Sequence, residues 1–201
     1  STFAATDDGR TRWVEATDPL GGKERVEYRD SGPAVIAMSD PAATVPTGFS
    51  AGNSNLAFRN TFYWDKRGMA LYAGDYTKAR LIHWLHLGIL VSGVKESERA
   101  PLENRVWYSY AGQTQSNAVG TSIQPAQIAR VLDDGTSQIL RYEYNSRGKK
   151  TKAIDPLGRE TVYVYGTNSI PDANPTTGDG VDLLQIKQKN GAGYDLVWSA
   201  T

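Results

Sequence analysis

The chain has 201 residues, enough to bury one sizeable core, and its length predicts one or two domains. Lysine plus arginine and aspartate plus glutamate both count 22, and this zero net charge argues against a nucleic-acid or anionic-membrane partner. Cysteine is absent, which excludes disulfides, thiolate nucleophiles and cysteine-ligated metal sites.

The sequence begins Ser1-Thr2-Phe3, without the basic start or the apolar run of a signal peptide. We therefore expect a processed product or an excised piece of a longer protein. The most apolar stretch, residues 81–91, contains two histidines and is too short to span a bilayer, so no membrane span is predicted.

Residues 7–30 form the first readable unit. Residues 11–16 have the mixed pattern of a strand, Asp18-Pro19-Leu20-Gly21 predicts a type I turn, and residues 23–28 alternate as a second strand. In such a turn the carboxylate accepts nearby backbone N–H groups, proline presets φ, and glycine relieves the exit.

Residues 31–57 are poor in charge and contain Pro33, Pro41 and Pro46. The residue before a proline is pushed towards an extended conformation, which favours a loop. We expect an ordered surface excursion with one or two short strands, one of them over residues 34–38. A functional loop is the alternative.

The second unit covers residues 58–113. An aromatic strand ending at Trp64 precedes Asp65-Lys66-Arg67-Gly68, which predicts another turn. Residues 78–90 fit a helix or a strand by periodicity, and the β pattern around them favours the strand. A further aromatic strand is expected over residues 105–110.

The third unit covers residues 126–165. Asp133-Asp134-Gly135 separates two β-prone runs and is a strong hairpin signal. Asn145-Ser146-Arg147-Gly148 and Asp155-Pro156-Leu157-Gly158 are two further turns of the type I pattern. The basic run over residues 147–152 is interpreted as a solvated strand edge rather than a nucleic-acid site.

Residues 166–180 predict a second long loop. Two last strands are expected over residues 183–189 and 194–198, on either side of Asn190-Gly191.

The turns and tyrosines recur at fixed spacing. Tyr142 and Tyr163 are 21 residues apart, and the Asp-Pro-Leu-Gly motif begins ten residues before a tyrosine at both Asp18 and Asp155. Such recurrence predicts a tandem array of similar units.

Over residues 138–165, Tyr-x-Tyr-Asn-x-x-Gly is followed by Asp-Pro-Leu-Gly-Arg-x-Thr-x-Tyr-x-Tyr. This pattern resembles the YD repeat of bacterial rearrangement-hotspot (RHS) proteins, which also occurs in insecticidal toxin complexes and in the teneurins. The match is good at residues 7–30 and looser through 58–113. It departs from the family where Gly166 follows the second tyrosine pair in place of aspartate.

The resemblance implies a sheet of consecutive hairpins that, in full-length relatives, spirals into a hollow shell. It also implies a non-enzymatic structural module of a secreted or cell-surface bacterial protein, either a shell-wall segment or a self-associating scaffold, without a cofactor. The implied partners are copies of the chain or adjoining repeats, paired through open strand edges. We expect Val197 and Trp198 on one such edge.

His83 and His86 are the only histidines. On a strand they face opposite ways, and no carboxylate lies close to them in sequence, so we expect no metal site.

The carboxylates show no catalytic pattern. Three aspartates precede a proline and are interpreted as turn openers: Asp18, Asp40 and Asp155. Three glutamates lie among arginines and are interpreted as solvated charge pairs: Glu96, Glu98 and Glu103. We therefore expect no enzymatic activity.

Aromatic pairs recur at positions two residues apart: Phe62/Trp64, Tyr108/Tyr110, Tyr142/Tyr144 and Tyr163/Tyr165. Side chains two apart share a strand face, and we interpret these pairs as cross-strand stacking within a sheet. The alternative is a solvent-facing sugar platform, in a carbohydrate-binding or adhesion module that uses the loops over residues 31–57 and 166–180. The fold predicted is a single all-β domain over residues 1–201, built from antiparallel hairpins in a twisted YD-repeat-type sheet.

Overall fold

A computed structural model of the chain describes residues 2–7, 10–31, 44–166 and 180–200. Within these ranges the fold is all-β, with thirteen strands in one sheet whose spatial order is the order of the chain. The predicted all-β architecture of consecutive antiparallel hairpins is confirmed. The strands are β1 (Thr2–Asp7), β2 (Thr11–Thr17), β3 (Lys23–Ser31), β4 (Phe58–Trp64), β5 (Arg80–Leu87), β6 (Leu90–Arg99), β7 (Val106–Tyr110), β8 (Pro125–Val131), β9 (Ser137–Tyr144), β10 (Lys150–Ile154), β11 (Glu160–Tyr165), β12 (Leu183–Asn190) and β13 (Gly193–Ser199).

Strand β5 settles the ambiguous stretch over residues 78–90. Leu81, His83 and Leu85 are buried, while the residues between them are half-buried. This period of two belongs to a strand with one face on a core, and the predicted strand is confirmed.

The chain divides into two compact units, Ser1–Ile123 with Ala129–Ser137, and Gln124–Ile128 with Gln138–Thr201. The first unit has a core of large side chains, and the second buries fewer of them. Core residues of the first unit include Phe62, Trp64, Leu81, Leu85 and Trp107, and those of the second are Ile139, Val162 and Tyr165. The single-domain organisation expected from the sequence stays a prediction.

Three turns share one set of backbone bonds. At Asp155 the backbone N–H of Gly158 donates to the Asp155 carbonyl at 2.9 Å, and the carboxylate Oδ1 accepts from the N–H groups of Leu157 and Arg159. Gly158 has φ +80, which suits a type I turn closed by a left-handed glycine. The turns at Asp18 and Asn145 repeat these bonds, so the predicted turn chemistry is confirmed.

The turn expected at residues 65–68 is instead the start of a helix, α1 (Lys66–Tyr72). Asp65 Oδ1 accepts from the N–H of Gly68 at 2.7 Å, which is the bond of a helix N-cap. An Asp three residues before a Gly can begin a type I turn or cap the start of a helix. Here the chain continues as a helix before it returns to the sheet. This helix and the strands β1 and β6 have no counterpart among the elements predicted from the sequence.

Residues 44–57, the described part of the predicted surface excursion, contain no strand and help to fill the core of the first unit. Phe49 and Leu56 are buried, and the Thr44 carbonyl accepts a hydrogen bond from Trp107 Nε1 at 3.1 Å. The large apolar residues on the inner face of the sheet need cover, and this segment supplies it. The strand expected over residues 34–38 lies outside the described residues.

Candidate functional site

Among the described residues, His83 is one of three polar residues of the first unit that are fully inaccessible to solvent, together with Asn60 and Ser97. Asn60 Nδ2 donates to the Leu56 carbonyl at 2.7 Å, so the oxygen of the same amide faces the histidine. His83 Nδ1 therefore carries a proton and donates to Asn60 Oδ1 at 3.0 Å. The other ring nitrogen, Nε2, lies 3.1 Å from Glu96 Oε2.

Glu96 contradicts the expectation of a solvated carboxylate, because only 1% of it is exposed. Strand register explains the difference: His83 pairs with Ser97 and Trp84 with Lys95, so Glu96 is the extra residue of a β-bulge. A bulge places neighbouring residues towards the same side, and both Glu96 and Ser97 are buried. Sequence periodicity gives no sign of a bulge.

Two arginines contact the buried residues of this bulge. Arg59 Nη2 lies 3.8 Å from Glu96 Oε2, while its Nε donates to the Trp84 carbonyl at 3.0 Å. Arg59 has φ +53, a conformation that is uncommon outside glycine and that other contacts must hold in place. Arg105 is also buried, and its Nη1 donates to Ser97 Oγ at 2.9 Å.

A second buried carboxylate, Glu27, is enclosed by cations and a phenol. It accepts from Arg25 Nη2 at 2.6 Å, from Arg29 Nε at 2.5 Å and from the Tyr76 hydroxyl at 2.7 Å. Burial raises the pKa of Glu27, but the hydrogen bonds from Tyr76, Arg29 and Arg25 outweigh it, and the pKa is lowered from its ordinary value.

The two buried carboxylates of the first unit, Glu27 and Glu96, are closed to solvent, and a group that acts on a substrate has to touch it. Their neighbours are side chains of the same unit, which is the arrangement of a structural polar network. The two histidines are separated, since His86 is half-buried and its Nδ1 faces the Gly88 carbonyl at 3.1 Å. Among the described residues, no three ligand-type side chains cluster around a possible metal position.

The aromatic contacts differ from the predicted cross-strand stacking. Two ring pairs in the described parts of the chain join residues of one strand, Phe62 with Trp64 at 6.1 Å and Tyr142 with Tyr144 at 6.5 Å. Tyr76, from a 3₁₀ turn at Tyr76–Lys78, completes the first pair at 4.7 Å from Phe62. Strand neighbours two apart meet because they share a face, and the residues opposite them across the sheet are mostly aliphatic or polar.

The second unit has an open groove of about 640 Å³ on one face of β9–β12. Its walls carry half-buried Tyr142 and Tyr163, and Lys150 Nζ lies 4.2 Å from the Tyr142 ring centroid. The ion pair of Asp155 with Arg159, at 2.5 Å, borders it. The groove lies mainly on strands, whereas the carbohydrate-binding alternative from the sequence used the loops over residues 31–57 and 166–180.

Strand register extends this aromatic face to the last strand. Tyr163 pairs with Ile186, and Ile186 with Trp198, so the three side chains share one side of the sheet. Trp198 remains 44% exposed. Residues 166–180, the predicted binding loop, lie outside the described residues except for Gly166 and Gly180.

The outer strands β1 and β13 differ in their regularity. β1 pairs with β2 in unbroken register from Thr2↔Thr17 to Asp7↔Arg12. In β13, Lys187 pairs with Leu196 and Ile186 with Trp198, so Val197 is the extra residue of a bulge. Val197 is exposed on the outer strand, as expected, but at a point where the ladder is interrupted.

The basic run over residues 147–152 does not form a sheet edge, because it leads into β10, which lies between β9 and β11. Lys152 Nζ pairs with Glu143 at 3.1 Å, and Lys150 lies over Tyr142. Side chains on the neighbouring strand β9 therefore pair with Lys150 and Lys152.

In the described part of the chain, no helix is long and apolar enough to cross a membrane. No protein-family model matches the chain, and no curated protein is significantly similar to it.

Proposed function

We propose that the chain is a non-enzymatic structural repeat module of a bacterial secreted or cell-surface protein of the RHS type. It forms part of a shell wall or of a self-associating scaffold, through strand edges that pair with adjoining repeats or with copies of the chain. The observation that carries this proposal is a sheet whose strands follow one another in chain order, in which three turns share one hydrogen-bonding pattern.

The turns give a physical reason for the repeated motif. The Asp or Asn at the first position satisfies two backbone N–H groups, and the glycine at the fourth takes a left-handed conformation. Each motif therefore reverses the chain in the same way and adds one more strand to the sheet. A sheet grown by such steps is extended by adding hairpins, which is what a wall or scaffold requires.

The outer strands supply the joining surfaces. A strand with one paired neighbour presents unpaired N–H and C=O groups, which template pairing with another strand. β1 is regular over six residues and its residues 2–5 are exposed. In RHS relatives, neighbouring repeats would occupy such positions.

Sedimentation velocity of the tag-free chain over a concentration series tests the proposal. We expect species larger than a monomer that grow with concentration, and a double variant with a lysine on each outer strand (Ala4→Lys with Val197→Lys) that stays smaller. A wild-type chain that remains monomeric throughout, with the double variant indistinguishable from it, would contradict edge association.

A second candidate, carbohydrate binding, is favoured by the groove of the second unit. Half-buried Tyr163 offers a ring face for a pyranose, and the Lys150 ammonium group, which lies over Tyr142, is a hydrogen-bond donor in the same groove. A glycan array tests it: binding is expected to disappear in Tyr163→Ala and to persist in Tyr72→Ala, a matched exposed tyrosine on α1. A glycan signal that Tyr163→Ala leaves unchanged would sink this candidate.

A further inference from the structure

The groove on β9–β12 is positively charged, although the chain as a whole has no net charge. Among the described residues, the charged side chains that line it are three cations and one carboxylate, a net charge of +2: Lys150, Arg159, Lys189 and Asp155. The oxygens of Asp155 are already engaged, because Oδ2 accepts from Arg159 Nε and Oδ1 accepts from two backbone N–H groups. The groove therefore favours an anionic ligand.

The three cations keep hydrogen-bond donors for such a ligand. Lys150 Nζ has no carboxylate partner in the described part of the chain. Arg159 donates to Asp155 from Nε, and its side chain is 69% exposed, so its two terminal nitrogens stay open to a ligand. Lys189 Nζ lies 3.9 Å from Glu160 Oε2, which is beyond hydrogen-bond distance. An anion that binds Lys150 or Lys189 therefore displaces no hydrogen-bonded carboxylate.

Strand register places these cations at opposite ends of the groove. Lys150 is the first residue of β10, whereas Arg159 lies in the turn beyond the last residue of that strand. Lys189 follows Gln188, which pairs with Thr161 next to the same turn, so Lys189 belongs to the Arg159 end. Because β10 has five residues and a strand rises about 3.3 Å per residue, the two ends are about 13 Å apart.

The middle of the groove is uncharged. Ala153 and Thr161 pair there across β10 and β11, and the half-buried Tyr163 ring lies beside them. Among the described residues, none is hydrogen-bonded to the Tyr163 hydroxyl. A ligand that fits this arrangement has negative charge at both ends and an uncharged ring between them. Single-stranded nucleic acid carries a phosphate at every nucleotide and binds grooves with cations along the backbone track, so it fits less well.

We propose that the groove binds an acidic oligosaccharide in which uronic-acid carboxylates are separated by an uncharged sugar. One carboxylate accepts from Lys150, and another accepts from Arg159 and Lys189. The uncharged sugar between them packs against the Tyr163 ring. The groove volume of about 640 Å³ lies within the range of about 300–1,000 Å³ typical of ligand sites. This inference rests on the second candidate function, carbohydrate binding, and names its ligand class.

The probe is a hyaluronan hexasaccharide, in which glucuronate alternates with N-acetylglucosamine. Its neutral control is the same hexasaccharide with each carboxyl group reduced to a hydroxymethyl group. Isothermal titration at low ionic strength is expected to show binding that is about tenfold or more weaker for the neutral form. Since salt screens exposed charges, raising the ionic strength from about 0.01 M to about 1 M should weaken binding of the acidic form alone.

Two lysine variants remove one cation at each end of the groove. Lys150→Gln and Lys189→Gln are each expected to weaken binding of the acidic hexasaccharide by about fivefold. Lys149→Gln is the matched control, at a neighbouring lysine outside the groove, and should change the affinity by less than about twofold. Tyr163→Ala should weaken binding of both forms. Melting temperatures confirm folding, and Lys189→Gln, at an exposed side chain, carries the test if Lys150→Gln unfolds.

The outcomes separate this inference from the candidate function on which it rests. Equal affinity for the acidic and neutral forms, or lysine variants that bind like Lys149→Gln, would overturn the inference and leave carbohydrate binding standing. If neither hexasaccharide binds, carbohydrate binding fails together with the inference, and the structural proposal, which sedimentation tests, is untouched. Displacement of the acidic hexasaccharide by an equal concentration of oligothymidylate would also contradict the inference, by assigning the groove to nucleic acid.

Discussion

His83 Nε2 lies 3.1 Å from Glu96 Oε2, and both side chains are closed to solvent. The Nδ1 proton of the ring is committed to Asn60, and the close approach of Nε2 to the Glu96 carboxylate continues this line of buried polar groups from β4 through β5 to β6. A polar link of this kind fixes the register of three strands where bulges would otherwise permit slippage.

Removal of the Glu96 carboxylate should be costly. Glu96→Ala leaves His83 and Arg59 without their partner in a buried site, and the free energy of unfolding should fall by about 3 kcal/mol or more. Urea unfolding followed by fluorescence measures the change. Glu103→Ala, at an exposed glutamate, is the matched control and should stay within about 0.5 kcal/mol. Similar losses in the two variants would show that the buried link contributes nothing particular.

Zinc should find no stoichiometric site on the tag-free chain. His83 is fully buried with both ring nitrogens facing neighbours, and His86 lies apart from it, so the three or four ligands that zinc requires do not converge among the described residues. Isothermal titration with zinc should give only weak, non-saturating heat. A sub-micromolar site that His83→Ala removes would overturn this prediction.

Turn glycines should matter more than the cations beside them. Gly158 has φ +80 and open space around its missing side chain, so Gly158→Val tests the backbone conformation alone and should destabilise by about 1–2 kcal/mol or more. Gly158→Asn should cost less, because asparagine tolerates this region. Gly148→Val adds a tight contact, since its Cβ would lie 3.2 Å from Gln124 Nε2, which would have to move by a few tenths of an ångström.

Lys149→Ala is the control for the turn series, and its melting temperature should match that of the wild type. Equal shifts in melting temperature for Lys149→Ala and Gly158→Val would contradict the claim that the turn requires glycine for its backbone conformation. The asparagine variant separates backbone strain from a simple loss of glycine.

The elements that sequence predicted best are those specified by local chemistry. The turns at Asp18 and Asp155 follow from side-chain bonds within five residues, and the strands predicted on either side of Asp18, over residues 11–16 and 23–28, lie within three residues of the observed ends. The helix after Asp65 was missed because its capping bond has the same spacing as a turn.

The sites were less predictable because register and burial are tertiary properties. Glu96 is turned inward by a bulge, and Trp198 joins the face of Tyr163 only because Val197 is the extra residue of another. A shift of one residue reverses every side chain beyond it, and no local pattern announces where it occurs. The aromatic groove and the buried link both depend on such shifts.

Glu27 should make stability depend on acid. Its pKa is lowered from the ordinary value of 4.5, so the ionised carboxylate stabilises the fold fully above that value, and this contribution is lost as the pH falls through the lower folded-state pKa. Glu27→Gln cannot titrate. The gap in urea midpoint between wild type and Glu27→Gln should therefore be constant at neutral pH and narrow below pH 4.5. A gap that stays constant into acid would contradict the assignment.

The two outer strands should not be equally open to pairing. β1 keeps its register with β2 along its whole length, whereas the ladder of β13 is interrupted at Val197. A bulge twists a strand and breaks the regular spacing of its free N–H and C=O groups, which is one way in which proteins protect an edge. Ala4→Lys should therefore weaken self-association by about tenfold or more, while Val197→Lys should change it by less than about threefold.

Ala4 lies opposite Glu15, so the new lysine has an anionic neighbour within the sheet and the fold should tolerate it. Sedimentation equilibrium of the two single variants, with melting temperatures to confirm folding, measures the ranking. The reverse ranking would mean that the bulge leaves β13 open, and that the exposed Leu196 and Trp198 outweigh the regular ladder of β1 in recruiting another strand.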